Sequence, residues 1–253
     1  MNLLCVQGLR KSFGGNLAVD DISFDLAAGE LLALIGPNGA GKSTTFNMLN
    51  GQLRPDIGQI TLAGKSLLGL HPREVWQMGV SRTFQVAETF YSLTVVENVQ
   101  MAMLSDDNHL FSMWQRATHY RRTDALALLE QVGLVEQAER PCSELAYGDV
   151  KRLELAIAMA NHPRLLLMDE PTAGMAPSER NKLMALTREL VTQSGMAVLF
   201  TEHSMDVVFG FADRIIVLAR GQLIAQGLPK DIRDHPRVKE VYFGSGKTFE
   251  QKK

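Results

Sequence analysis

Three groups of residues in this chain could together handle a polyphosphate. The first is the run Gly36-Pro37-Asn38-Gly39-Ala40-Gly41-Lys42-Ser43-Thr44, whose spacing is GxxxxGK[S/T]. Its backbone N–H groups can curl around phosphate oxygens at a helix N-terminus, and side chains in place of its glycines would block that approach. Lys42 would reach the β- and γ-phosphates, and the Ser43 hydroxyl would be a ligand of Mg²⁺. The second group is Asp169-Glu170, at the end of the apolar run Leu165-Leu166-Leu167-Met168. Asp169 suits a Mg²⁺ that keeps most of its waters, and Glu170 is the natural general base for water attacking the γ-phosphorus. The plain alternative is an exposed acid pair at a strand end. The third group is two strand-end residues, Gln85 and His203. The Gln85 amide could reach Mg²⁺ or the attacking water, and His203 could contact the γ-phosphate, though a lone loop histidine is more often incidental.

These side chains need a scaffold that brings strand ends together. Leu31-Leu32-Ala33-Leu34-Ile35 reads as a buried strand, and residues 45 to 50 read as a helix closed by Gly51. The order strand, glycine-rich loop, helix is the one a phosphate loop requires. Residues 3 to 7 and 22 to 26 read as short strands, with Lys11-Ser12-Phe13-Gly14-Gly15 as the turn between them. An aromatic in such a turn usually packs, but Phe13 lies upstream of the phosphate loop, so stacking on adenine is open to it. Residues 59 to 63 alternate as an exposed strand, 72 to 78 read as a short helix, and 79 to 85 as a strand.

Between residues 92 and 160 the pattern becomes helical. Val95, Val96, Val99 and Met103 recur at helical spacing; residues 120 to 132 follow a polar stretch, Asp106-Asp107-Asn108-His109; and 149 to 160 form an amphipathic helix stopped by Asn161-His162-Pro163. The methionines read as core or interface filler and not as a cofactor box. Pro177 opens a helix to Ser194, ended by Gly195, and residues 196 to 201 form a buried strand ending on Glu202 and His203. Residues 214 to 219 and 222 to 226 pair as a hairpin around Arg220-Gly221, before a short helical tail to Gly244 and a frayed polar end from 246 to 253. In an open parallel sheet, ligands sit beyond the carboxyl ends of the strands, so Asp169 and Glu170 are expected to face the crevice of Lys42.

Composition narrows the class. A chain of 253 residues with 45% hydrophobic content can build a large core, and a net charge of -2 carries no footprint for nucleic acid. Cys5 and Cys142 lie far apart without CxxC spacing, which argues against a disulfide framework or a zinc site and suits ordinary buried thiols in a reducing compartment. The N-terminus shows no secretory pattern, and no apolar run approaches the ~18 residues of a membrane span. The expected location is cytoplasmic, with any membrane role exercised through a partner.

Taken in chain order, Gly36 to Thr44, Gln85, Leu145-Ala146-Tyr147-Gly148-Asp149, Leu165 to Pro171 and His203 resemble the ATP-binding cassette ATPases. The resemblance runs from Phe13 to at least Gly227. Ser81-Arg82-Thr83-Phe84-Gln85, Ala173-Gly174-Met175-Ala176-Pro177 and Val238-Lys239-Glu240-Val241-Tyr242-Phe243-Gly244 resemble its branched-chain amino acid importer branch.

The resemblance implies an α/β fold of the P-loop NTPase, RecA-like kind: a mainly parallel sheet core, N-terminal antiparallel strands and an inserted helical subdomain. The expected division is an ATP-binding core of residues 1 to 91 and 161 to 227, a helical subdomain of 92 to 160, and a C-terminal tail of 228 to 253. It implies ATP and Mg²⁺ as cofactors, and an ATPase driving import of a small solute. Partners would be a second cassette, integral membrane permease subunits that seat the chain on the cytoplasmic membrane face, and a solute-binding protein. Phe13 would stack on adenine; Ser43, Gln85 and Asp169 would serve Mg²⁺; Glu170 would activate water; His203 would sense the γ-phosphate. The signature segment Leu145 to Asp149 would cover ATP held by the partner cassette.

Two positions depart from the family pattern. Ala146 stands where the usual LSGGQ signature has a serine, and Ala176 where an aspartate commonly links the two sites; both favour a pair of unequal cassettes. Lipid or lipopolysaccharide export is the alternative within transporters. A translation or repair cassette is disfavoured, because the chain has neither a second cassette nor a long coiled-coil insertion. A GTPase is disfavoured because Asn181-Lys182 is followed by Leu183-Met184, with no guanine-reading NKxD.

Overall fold

A computed structural model describes residues 2–83, 89–106 and 120–243. The central sheet has strand order β10-β9-β3-β8-β7-β6, formed by β3 (Leu31–Ile35), β6 (Val80–Thr83), β7 (Leu165–Asp169), β8 (Ala197–Thr201), β9 (Arg214–Ala219) and β10 (Gln222–Gly227). All its pairings are parallel except β9 with β10, the hairpin read from Arg220-Gly221. A second, antiparallel sheet has order β2-β1-β4-β5, from β1 (Asn2–Phe13), β2 (Asn16–Ala27), β4 (Ile57–Leu62) and β5 (Lys65–Ser66). The expected fold class is therefore present, with the parallel core and the N-terminal antiparallel strands in place.

The apolar runs have a direct cause. Both faces of the parallel sheet are covered, so successive side chains alternate between two cores, each buried. Leu32, Leu34, Leu165, Leu167, Leu199 and Leu218 enter one core with the antiparallel sheet and helix α1 (Lys42–Leu49). Ala33, Ile35, Leu166, Met168, Phe200 and Val217 enter the other. That second core is roofed by α3 (Val95–Asp106), α4 (Arg122–Gln131), α5 (Tyr147–Met159) and α6 (Pro177–Ser194), and by α7 (Met205–Phe211), α8 (Pro229–Asp234) and α9 (Pro236–Phe243). Helix α2 (Pro72–Gln77) places Val75 on the first core. Met48, Met103, Met159, Met168, Met175, Met184 and Met196 are buried, while Met78, Met101 and Met205 are partly exposed.

Several boundaries differ from the sequence reading. β1 and β2 are about twice as long as expected, and the turn shrinks to Gly14-Gly15. Their charged segments broke the apolar alternation, yet register shifts at Val6/Leu9 and Leu9/Lys11 let them pair, and Arg10 meets Asp20 and Asp21 across the ladder at 3.6 Å each. Helix α5 starts at Tyr147, two residues before the acid taken as its first, because Ala146 already has the extended φ of -64° and ψ of 151° of an N-cap. Asp149 instead sits in the first turn, where a carboxylate favours the helix dipole. Helix α7 has no counterpart in the sequence reading: it spans seven residues, burying Val207 and Val208 with Met205, Phe209 and Phe211 packed at the edge of the core. Cys142 is buried but Cys5 only half so, a partial correction to the reading of both as buried thiols. Gln85, most of the 106 to 109 stretch and the end from 246 to 253 lie outside the described residues.

Candidate functional site

The glycine-rich loop joins β3 to α1 and is held against two other parts of the chain. Gly221 donates its N–H to the Ala40 carbonyl at 3.1 Å, and Asp20 donates to the Gly221 carbonyl at 2.8 Å. Gly41 has φ +102°, and a Cβ there would stand 2.5 Å from the Ala18 carbonyl oxygen. A Cβ on Gly36 would meet the Leu218 carbonyl oxygen at 2.3 Å. These two glycines are thus required by the close approach of neighbouring backbone alone.

An open cleft of about 870 Å³ lies over the loop, lined by Asn38, Gly39, Ala40, Gly41, Lys42, Ser43 and Thr44. Phe13, Glu170 and Arg220 also line it. Phe13 is half exposed at the mouth, with the Lys11 Nζ 5.6 Å from its ring centroid; it does not pack into the core. Arg220 escaped the sequence reading, since a hairpin turn gives no hint that it borders β2 and the phosphate loop. Lys42 is buried and donates to the carbonyls of Gly36 at 2.7 Å and Pro37 at 3.3 Å. Burial pushes its ammonium pKa down, while the nearby carboxylates of Glu170 and Asp169 oppose that shift. Glu170 and Lys42 therefore share one crevice, while Asp169, which does not line it, acts on Lys42 through its charge.

The acids are fixed from β8. Asp169 Oδ1 accepts from the Thr201 hydroxyl at 2.8 Å, and Oδ2 accepts from Arg82 Nη2 at 2.9 Å. Glu170 has φ +48°, in the left-handed region, and its N–H donates to the Thr201 carbonyl and hydroxyl at 3.2 and 3.0 Å. That turn sends its carboxylate into the cleft, where Oε1 lies 2.9 Å from His203 Nε2. Glu202, next to His203, proves structural: it is buried and accepts from the Thr172 N–H and hydroxyl at 2.8 and 2.6 Å and from the His203 N–H at 3.1 Å. Its sequence signal, an acid after an apolar strand, is indistinguishable from that of Glu170.

The signature segment is placed elsewhere. Leu145 and Ala146 lead into α5, and Gly148 and Asp149 line a separate groove of about 440 Å³ with Arg152, Met175, Glu179 and Lys182. The Tyr147 hydroxyl donates to the Ala173 carbonyl at 3.1 Å, tying α5 to the loop after Pro171. Asp149 pairs with Arg152 and accepts from Gln137 Nε2 at 3.2 Å. Among the described residues no helix is long and apolar enough to cross a membrane.

Residues 19–173 match the family described as ABC transporter, and residues 222–248 the one described as branched-chain amino acid ATP-binding cassette transporter. The chain is 43% identical over 249 residues to the high-affinity branched-chain amino acid transport ATP-binding protein LivG of Salmonella typhimurium, covering 96% of this chain and 98% of the relative. It is 39% identical over 250 residues to BraF of Pseudomonas aeruginosa, a protein of the same description, with 96% and 98% covered. A crystal structure of an ATP-binding cassette of an ABC transporter in its ADP conformation superposes with a TM-score of 0.87 at 32% identity, covering 96% of this chain and 99% of that one. With that fold, that cleft and relatives matched over nearly their full length, the chain belongs to the ATP-binding cassette ATPases of the ABC transporter family.

Proposed function

We propose that this chain is the ATP-hydrolysing subunit of an importer for branched-chain or other hydrophobic amino acids. One observation carries the catalytic part: the buried Lys42 and Glu170 line the same cleft above a glycine loop, with Asp169 near enough for its charge to act on Lys42. The likeness to LivG and BraF supports the cargo class.

In this reading the loop from Gly36 to Thr44 wraps the phosphates with backbone N–H donors, and Lys42 exchanges its carbonyl partners for phosphate oxygens. Phe13 offers a ring face to adenine at the cleft mouth. Glu170 takes a proton from the attacking water, and His203, 2.9 Å from it, orients that carboxylate and meets the γ-phosphate. Among the described residues no three of His, Cys, Asp or Glu form a group that could by itself hold a metal ion. The donors present, the Ser43 hydroxyl and the Asp169 carboxylate, fit Mg²⁺, which takes its remaining ligands from phosphate and water. When bound, that ion would neutralise charge developing on the phosphate oxygens. Gln85 belongs to the same proposal as a further Mg²⁺ or water contact.

The signature segment Leu145 to Asp149, absent from the cleft lining, is assigned to the ATP site of a partner cassette. Residues 92 to 160 are assigned to a helical subdomain against which permease helices dock, with 1 to 91 and 161 to 227 as the nucleotide core and 228 to 253 as a tail. A solute-binding protein would deliver cargo on the far side of the membrane.

The test is a complex of this chain with its permeases in liposomes, assayed for ATP-dependent uptake of labelled leucine. Lys42→Ala should weaken ATP binding by roughly 10- to 100-fold, as expected for lost hydrogen bonds to a charged group, read by calorimetric titration. Unchanged affinity would remove Lys42 from the site. ATP hydrolysis without uptake of any hydrophobic amino acid would discard the cargo assignment alone.

A further inference from the structure

The Arg82 side chain touches the β7 acid, the phosphate-loop helix and the loop after that helix at once. It sits near the end of β6, in register with Leu167 of β7. Nη2 donates to Asp169 Oδ2 at 2.9 Å, and Nη1 donates to Asn47 Oδ1 on α1 at 2.7 Å and to Gln52 Oε1 at 3.2 Å. The guanidinium carbon stands 5.7 Å from the centroid of the Phe46 ring, also on α1. Both members of the ion pair are largely shielded, with side-chain exposures of 10% for Arg82 and 17% for Asp169. Salt therefore screens the pair weakly.

We infer that Arg82 is a positioning residue for the metal–nucleotide site: its planar fork fixes the Asp169 carboxylate relative to α1, the helix whose first residues are Lys42 and Ser43. The inference rests on the reading of the cleft as a Mg²⁺-nucleotide site. A guanidinium can satisfy Asp169 and Asn47 simultaneously because its donors lie in one rigid plane, whereas an ammonium on a flexible stem cannot reproduce that geometry. Among the described residues, each Asp169 oxygen accepts one protein hydrogen bond, from Thr201 or Arg82, which leaves each a lone pair for a water held by the ion. Without the fork, Asp169 keeps the Thr201 hydroxyl as its one donor among the described residues and is drawn toward Lys42, which already feels its charge.

The experiment measures the Kd of a fluorescent ADP for wild type, Arg82→Met and Arg82→Lys, in EDTA and in excess Mg²⁺. The wild type should bind more tightly with Mg²⁺. Both variants should lose about tenfold of that gain, the scale of one hydrogen bond to a charged group, while affinity in EDTA changes by less than about threefold. Should Arg82→Met fail to fold, Asn47→Ala removes only the partner on α1 and is expected to lose about threefold of the gain. Retention of the full gain by Arg82→Lys would overturn the inference, since charge alone would then suffice. Equal losses with and without metal would also overturn it, as the mark of a merely structural role. A wild type with no gain from Mg²⁺ would overturn the metal-site reading, and this inference with it.

Discussion

Glu170 shows what placing one reactive side chain costs the fold. Its left-handed φ of +48° is disfavoured for a residue with a Cβ, by on the order of 1–2 kcal/mol. Two hydrogen bonds from its N–H to Thr201 hold it there, and the carboxylate enters the cleft beside His203 as a result. Glu170→Gly should relieve the strain and raise Tm by roughly 2–4 °C, for about 1 kcal/mol in a chain of this size. The same change should lower ATP turnover by about 10²- to 10⁴-fold through loss of the proposed general base. Calorimetry and a phosphate-release assay read the two effects separately, and a fall in Tm would place no strain at this position. Glu202, the residue after the Thr201 to which Glu170 is tied, is the opposite case. Glu202→Ala should cost about 2–3 kcal/mol by stranding the Thr172 donors, seen as a lower midpoint in urea unfolding.

Among the elements, α5 begins without a side-chain cap. Ala146 holds the extended backbone of an N-cap but has no oxygen to offer the first turn, and the carboxylate of Asp149 faces Arg152 and Gln137. Ala146→Ser should therefore stabilise the isolated chain by about 0.5–2 kcal/mol, measurable as a rise in Tm. In an assembled pair of cassettes the new hydroxyl should also raise ATP turnover, by adding a donor to the partner's γ-phosphate. Stabilisation without faster turnover would mean that Ala146 does not face nucleotide, and would remove the case for unequal cassettes. The tie from Tyr147 to Ala173 links the same helix to the loop leaving Glu170, so both ends of the proposed trans contact belong to one packed unit.

At the scale of the whole molecule, the cleft is open on the side of Phe13, which is half exposed, and the signature segment of the same chain does not line it. A second copy or a related cassette supplying that segment would close it. Glu170→Gln with ATP and Mg²⁺ should sediment at twice the monomer mass, or as a complex with the partner cassette, and return to monomer in ADP; a monomer under all conditions would count against closure by a second cassette. Much of this was legible before any coordinates. A phosphate loop is a local object, since its glycines, lysine and serine are consecutive and its backbone does the binding, so Gly36 to Thr44 declared itself in the order of residues. Asp169 and Glu170 were legible for a similar reason: strands covered on both faces must be apolar throughout, and charge at their ends stands out. Tertiary structure alone decided which neighbours those residues have. Whether an acid after a strand is buried against threonines, like Glu202, or turned into a cleft, like Glu170, depends on φ at one residue and on the adjacent strand. That Arg82 and Arg220 border the site depends on strand order, which joins residues far apart in the chain and leaves no periodic trace along it.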